Sequence, residues 1–354
     1  MAYLNRIAAT VPPNDVHQAF VGFAGTLLSE RRDKLLFKRM SDRSQIERRW
    51  SCLTPATDMT GDAVDAEGFY SRDRFPSTGE RMARYQAEAP ALAEAAVRRL
   101  GETSDLKSVT HLIVTSCTGF SAPGIDLELV WRLGLDPSVE RTIVGFMGCY
   151  AAISALKLSR HIVRSDPAAR VLVVSVELCT LHLQEVDDLE QVLTFLVFGD
   201  GCAAALVSAE PTGLSLDRFH SVLAPETAGH ITWNIGDQGF DMFLSGQVPG
   251  AVGAGVRAAK AQILGNLSPD QIDLWAVHPG GRTVLDAVEQ GLELAPEALS
   301  ASRRVLRDFG NMSSPTILFV LDQLMRQDPP RGQRGCAMAF GPGLTAETMT
   351  FGVA

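Results

Sequence analysis

Three polar side chains sit where the chain changes direction, and together they could activate and hold a carbonyl group. Cys149 lies in "VGFMGCYAAISALKLSRHIV", between a glycine and a helical apolar repeat. A thiol at a helix N-terminus meets unpaired N–H groups and the positive end of the dipole, and both favour the thiolate. Lys157, Arg160 and Arg164 fall at the far end of that helix, where cations suit the dipole. A lone cysteine there can equally be a small buried hydrophobe. His278 closes an apolar run in "WAVHPGGRTVLD". Strand C-terminal ends are where α/β sheets place chemistry, and the two glycines let a substrate backbone or a phosphopantetheine arm approach closely. A structural histidine is the plain alternative. Asn311, in "FGNMSSPTILFVL", precedes Ser314 and Pro315, which read as an N-cap followed by proline at the first helical position. Its amide can make a turn or donate to an oxyanion. Thiol, imidazole and amide together can attack a carbonyl, stabilise an imidazolium and hold a developing enolate or tetrahedral oxygen. No paired acid points to a hydrolase triad. The same three residue types occur in papain-like proteases, so order and context must decide.

The elements that must position these groups read as α/β. Apolar β-branched runs ("HLIVTS", "RTIVGF", "RVLVVSV", "CAAALV", "DLWAV", "CAMAF") alternate with amphipathic repeats ("IDLELVWRLGL", "AISALKLSRHIV", "TVLDAVEQGLEL"). That alternation predicts layers with buried, mostly parallel strands. The pattern occurs twice. Thr115 and Cys149 are 34 positions apart, His278 and Asn311 are 33 apart, and each second point follows a glycine and opens a helix. A duplication would make Cys149 and Asn311 matching helix starts facing one cleft. The seam is expected near Pro211 in "VSAEPTG", which divides the chain into halves 1–210 and 211–354. The charged segment "SERRDKLLFKRMSDRSQIERRW" reads as outer helix.

With 354 residues, 46% of them hydrophobic and 21% charged, the chain can bury a large core. A formal charge of −9 argues against nucleic acid as the main partner, and an anionic ligand would need a local basic patch. The six cysteines show neither CxxC pairs nor zinc-ligand spacing, so no metal is expected. No apolar run approaches the ~20 residues of a membrane span, and the N-terminus lacks a signal-peptide core. A cytoplasmic protein with reduced thiols is expected.

The stretches "GFMGCYAA", "VFGDGCAAALV", "HPGGRTVLD", "GNMSSPTILFVLDQL", "FGPGLTAETM" and the N-terminal "FKRMSDRSQIERR" lie along nearly the whole chain. In these the chain resembles the type III polyketide synthases, the chalcone synthase-like branch of the thiolase superfamily, in a bacterial form. The resemblance implies a thiolase-like fold: two duplicated α/β halves layered αβαβα. It places Cys149 on the acyl-accepting nucleophile and His278 and Asn311 on the oxyanion pair. Phe198 and Phe240 fall on two gatekeeper phenylalanines. Arg39 and Arg43, with Lys38, fall on the basic positions that grip the CoA phosphates, although Leu36 stands where a further lysine is common. Thr118, Ala122, Cys179, His182 and Ser313 fall on the cavity wall. Cys179 and His182 replace the threonines usual in plant relatives, and Ala122 replaces a bulkier methionine, so a reshaped pocket is expected. Cys179 reads either as a small wall residue or as a second functional thiol.

The implied chemistry needs no cofactor beyond CoA thioesters as substrates. A Cys149 thiolate paired with protonated His278 takes an acyl starter from acyl-CoA. Malonyl-CoA then decarboxylates against His278, Asn311 and the Phe198 ring, and its enolate extends the starter before cyclisation. The product leans to an alkylpyrone or alkylresorcinol from a fatty acyl-CoA, made by a homodimer. Other readings share the residues: a β-ketoacyl synthase III-like enzyme, a tetrahydroxynaphthalene-type synthase using malonyl-CoA only, or an inactive partner subunit.

Overall fold

The computed structural model describes residues 1–58, 62–223 and 225–354. Strand β1 (Tyr3–Thr10) opens the chain. The short strands β2 (Asn14–Asp15) and β3 (Trp50–Ser51) pair antiparallel and bracket helices α1 (His17–Leu27) and α2 (Arg31–Arg43). Helix α3 (Thr78–Gly101) starts at a capping box in which Ser77 and Glu80 satisfy each other's backbone N–H groups. Then follow β4 (His111–Ser116), α4 (Ile125–Leu133), β5 (Glu140–Gly145), α5 (Ala151–Ser165), β6 (Val171–Leu178), α6 (Leu189–Thr194) and β7 (Asp200–Ser208). The second half runs β8 (Leu214–Val222), the hairpin β9 (Ile231–Gly236) and β10 (Gly239–Leu244), α7 (Val248–Ala258), α8 (Lys260–Leu264) and β11 (Leu274–Val277). It ends with α9 (Arg282–Leu292), α10 (Ser300–Phe309), α11 (Thr316–Met325), β12 (Arg334–Gly341) and β13 (Thr345–Val353).

Nine strands join in the order β11-β12-β13-β8-β1-β7-β6-β4-β5. The middle of that order is a thin seam, where β1 and β8 pair only at Tyr3–Ser215 and Leu4–Leu214. On both sides of it the pairings have the same sense. β1-β7 and β7-β6 are antiparallel and β6-β4 is parallel; β8-β13 and β13-β12 are antiparallel and β12-β11 is parallel. Helices α5 and α11 pack on each other and on strands of both half-sheets, so they form the middle layer. Helix α3 covers the outer face of one half-sheet, and α9 and α10 pack beside β11 on the outer side of the other. The result is the layered α/β fold expected from the sequence.

One expectation about the sheet fails. Among the described residues five of its eight pairings are antiparallel, namely β1-β7, β1-β8, β6-β7, β8-β13 and β12-β13. Strands β6 and β7 are buried at every position because helices cover both their faces. A continuous apolar run therefore reports coverage on two faces, whichever way the neighbouring strand points.

Candidate active site

Gly148 sets the position of Cys149. It has φ +71°, and a Cβ there would lie 2.3 Å from Cδ of Pro342, so only glycine fits the turn between β5 and α5. Gly148–Tyr150 forms a single tight turn that delivers Cys149 to the N-terminal end of α5. The end of β12 closes over the same turn, where Gly341 faces the Tyr150 ring.

His278 follows β11 and is held by its backbone, with N–H donating to Met338 O at 2.8 Å. The residue is 1% exposed, and neither Nδ1 nor Nε2 has a hydrogen-bond partner among the described residues. Buried imidazoles rarely go unpaired, so both ring nitrogens are left for a group that enters from outside the protein. Asn311 is fixed from both sides. Its N–H donates to Val197 O at 2.7 Å, and its C=O accepts from Gly199 at 2.9 Å. The side-chain Oδ1 accepts the Ser313 N–H at 2.8 Å and faces Cys149 Sγ at 4.0 Å. With Oδ1 so committed, the Nδ2 donors turn toward the loop after His278, 3.5 Å from Gly280 O. Ser314, expected as a helix cap, instead donates its hydroxyl to Glu177 at 2.6 Å, and α11 begins after Pro315 without a side-chain cap.

Cys149, His278 and Asn311 line one cavity of about 470 Å³. Thr118, Cys179, His182, Ser313, Phe198 and Arg43 line it too. The Phe198 backbone forms a bridge with Asn311, so the Phe198 ring and the Asn311 amide share one support. A buried guanidinium steadies that support, as Arg49 donates to the carbonyls of Phe195 and Phe198, the latter at 2.9 Å.

Four expected wall or rim residues are not among those that line this cavity. Phe240 is buried behind the wall, stacked on the His182 ring at 4.3 Å, and its N–H donates to His182 Nδ1. His182 is longer than the threonine of plant relatives, so it fills the layer in front of Phe240. Its Nε2–H donates to Thr118 O at 2.7 Å, which fixes the neutral tautomer. Ala122 is exposed on the loop before α4 and does not reach the cavity of this chain. Lys38 and Arg39 are exposed on α2 but do not line the cavity; Arg43, one turn beyond Arg39, does.

Glu177 and Cys117 belong to the site although no motif in the sequence marks them. Glu177 is fully buried at the end of β6. It accepts bonds from Cys117 N–H at 2.9 Å, the Thr118 hydroxyl at 2.8 Å and the Ser314 hydroxyl at 2.6 Å, tying the two halves together beneath the cavity. Burial raises its carboxyl above the usual range, opposed by those donors. A carboxylate in the otherwise apolar run "VLVVSVEL" was the available signal.

Three thiols therefore share one cavity, and they differ in acidity. Burial and the nearby Glu177 push Cys117 and Cys179 well above the ordinary thiol value. Burial pushes Cys149 up to about 11, with Ser313 pulling down, Glu177 adding to the rise and Asn311 again pulling down. The Cys117 thiol is also already donated to Glu177 at 3.3 Å. Cys149 has the smallest rise of the three and is the one that faces Asn311. Burial lowers His278 to about 3. Burial by itself thus favours the neutral form of each group and works against the thiolate–imidazolium pair expected from the resemblance. The Cys149 proton has to move as the sulfur attacks, and the unpartnered His278 ring lines the same cavity.

This arrangement suits acyl transfer to sulfur followed by chemistry at an enolate. Residues 2–211 match the chalcone and stilbene synthase N-terminal domain, and residues 216–353 match the C-terminal domain of the same proteins. The chain belongs to the chalcone and stilbene synthase family. As a type III polyketide synthase it is an acyltransferase that carries out decarboxylative condensation. It is 34% identical over 308 residues to "Alpha-pyrone synthesis polyketide synthase-like Pks18" of Mycobacterium tuberculosis, covering 83% of this chain and 78% of that one. It is 35% identical over 376 residues to bisdemethoxycurcumin synthase of Oryza sativa subsp. japonica, covering 99% and 92%. Among solved structures, PKS-I of the brown alga Ectocarpus siliculosus superposes with a TM-score of 0.89 at 29% identity, covering 100% of this chain and 98% of that one. The type III domain of Steely1 from Dictyostelium shares the fold, with a TM-score of 0.90 at 24% identity and 99% of each chain covered.

Proposed function

We propose that this type III polyketide synthase loads a fatty acyl-CoA starter on Cys149, extends it with malonyl-CoA and releases an alkylpyrone or alkylresorcinol. The observation that carries the reading is the meeting of Cys149, His278 and Asn311 on one cavity whose remaining wall is largely apolar, aliphatic side chains standing beside the rings of Phe195, Trp233 and Phe340. Leu193, Leu196, Val197, Ile231, Met242 and Leu244 line it. Such a wall favours a hydrocarbon chain over a polar aromatic starter. The relative named for α-pyrone synthesis supports the pyrone outcome.

In the first step Cys149 Sγ attacks the thioester carbonyl and its proton passes to His278. The tetrahedral oxygen is held by Asn311 Nδ2. The bond to CoA sulfur breaks, and CoA leaves with the proton from His278. Malonyl-CoA then loses CO₂ in the same cavity. His278 and Asn311 donate to the enolate oxygen, and the Phe198 ring withholds water from the carboxylate. The enolate carbon attacks the Cys149 thioester, Sγ leaves, and the chain, now two carbons longer, is carried on CoA.

We place the working unit as a homodimer. Strand β5 ends the sheet, so one edge is unpaired among the described residues. Beside it Ile143, Phe120 and Trp131 are 46%, 39% and 62% exposed, and Ala122 lies on the same surface loop as Phe120. A second copy would cover this apolar edge. Sedimentation should give twice the chain mass, with dissociation on Ile143→Lys; a wild-type monomer would refute the assignment.

The product is tested by incubating the protein with malonyl-CoA and a ladder of acyl-CoAs, followed by mass spectrometry. Products from fatty acyl starters are expected, CoA being released on ring closure, and their masses should rise by one CH₂ for each CH₂ added to the starter chain. Turnover of malonyl-CoA alone would instead mark a tetrahydroxynaphthalene-type enzyme. A requirement for malonyl-carrier protein would mark a β-ketoacyl synthase III-like one.

A further inference from the structure

We propose that Arg282, which lines the same cavity as Arg43 of α2, is a second anion anchor on its rim and grips the phosphate groups of the CoA nucleotide. This deepens the polyketide synthase reading and rests on it. Arg282 is the first residue of α9 and lines the cavity together with Gly280, Gly281 and Thr283. Arg43 and Ser44, at the end of α2, line the same cavity. A thioester arm that reaches Cys149 between these two elements leaves its nucleotide between Arg43 and Arg282.

The Arg282 guanidinium is not taken up by its neighbours. Its side chain is 34% exposed, and its ion pair with Asp286, one turn along the helix, is long at 3.8 Å. Asp286 is already held by Arg303 at 2.8 Å, and Arg303 also takes Glu289 at 2.8 Å. The acidic face of α9 is thus neutralised from α10, and most Arg282 donors are left for another anion. Glu190 is the carboxylate on the same cavity wall, and it is engaged by the Gly246 N–H at 2.8 Å. In a chain of net charge −9, the rim cations supply the local attraction that an anionic nucleotide requires. A guanidinium fork suits phosphate oxygens better than an ammonium does. The malonyl carboxylate must reach Phe198 and Asn311 inside the cavity, whereas the partly exposed Arg282 stands at the rim.

The test compares Arg282→Ala with wild type on malonyl-CoA and on malonyl-pantetheine, which lacks the nucleotide. KM for malonyl-CoA should rise about tenfold, as for the loss of a charge-assisted contact. kcat should stay nearly constant, and the pantetheine thioester should be unaffected. Arg282→Lys should recover part of the loss. The wild-type KM should also climb more steeply with salt than that of the alanine variant. Equal loss on both thioesters would instead assign Arg282 to the malonyl carboxylate or to loop support, and no loss on either would leave it without a role; both overturn the proposal. Arg282→Gln, closer in shape, gives the same comparison should the alanine variant fold poorly. A folded wild type inert toward every CoA thioester would overturn the functional reading itself, an outcome distinct from an active wild type that ignores the Arg282 change.

Discussion

Replacing Cys149 by alanine is expected to abolish polyketide formation while leaving malonyl-CoA decarboxylation measurable. The two activities separate because different atoms perform them. Condensation needs an acyl group on sulfur, and alanine offers nothing to carry it. Decarboxylation needs only donors to the enolate oxygen and a dry ring beside the carboxylate, and His278, Asn311 and Phe198 all remain. Removal of a catalytic nucleophile elsewhere costs on the order of 10⁴- to 10⁶-fold, so product should fall below detection. The substitution removes one sulfur from a turn held by Gly148 and the end of β12, so the fold should survive. Product formation at about a tenth of the wild-type rate, far above that loss, would show that another group carries the chain. Cys117 and Cys179 line the same cavity and are the natural suspects.

The complementary result is expected at the oxyanion donors. His278→Ala and Asn311→Ala should each slow decarboxylation about 10²- to 10³-fold, the loss seen when one preorganised donor is removed. Asn311 needs a control, because its Oδ1 also holds the Ser313 N–H. Asn311→Asp keeps that acceptor and replaces the Nδ2 donors with a carboxylate oxygen. It should be as slow as alanine or slower, since an anion beside an enolate repels it. Recovery of the rate in the aspartate variant would mean that Asn311 acts through Ser313 and touches no reacting oxygen. The double variant should cost less than the product of the single losses, because both donors serve one oxygen.

The helix-covered strands β4, β6, β7, β11 and β12 were legible because two buried faces write a continuous apolar run. Strands β1, β8 and β13 were not. They carry Asn5 and Arg6, Asp217 and Arg218, and Glu347, polar residues that break up the apolar run. Some of these find partners that local sequence does not show. Asn5 bonds Ser208, Thr212 and Glu210 across some 200 positions, and Glu347 pairs with Lys157 at 2.7 Å. The start of helix α3 does leave a local mark, since Ser77 and Glu80 spell a capping box.

At the site, glycine before the thiol and glycines after the histidine were readable, since backbone constraints leave a local mark. Ser314 was misread as a cap because its partner, Glu177, lies 137 positions away. The resemblance supplied Phe240 and Ala122, yet which side chain meets the cavity depends on what stands in front. Here His182 stands before Phe240. The protonation state was also beyond the sequence. Helix position argues for a thiolate, whereas the depth of burial, known only from the fold, raises Cys149 and lowers His278.

The most direct test of Cys149 as the acyl carrier is mass spectrometry of protein quenched in acid after brief mixing with a fatty acyl-CoA and no malonyl-CoA. The expected result is one acyl mass per chain, mapped to the peptide containing Cys149 and absent from Cys149→Ala. An acyl mass on Cys117 or Cys179, or no adduct on a protein that still makes polyketide, would contradict it.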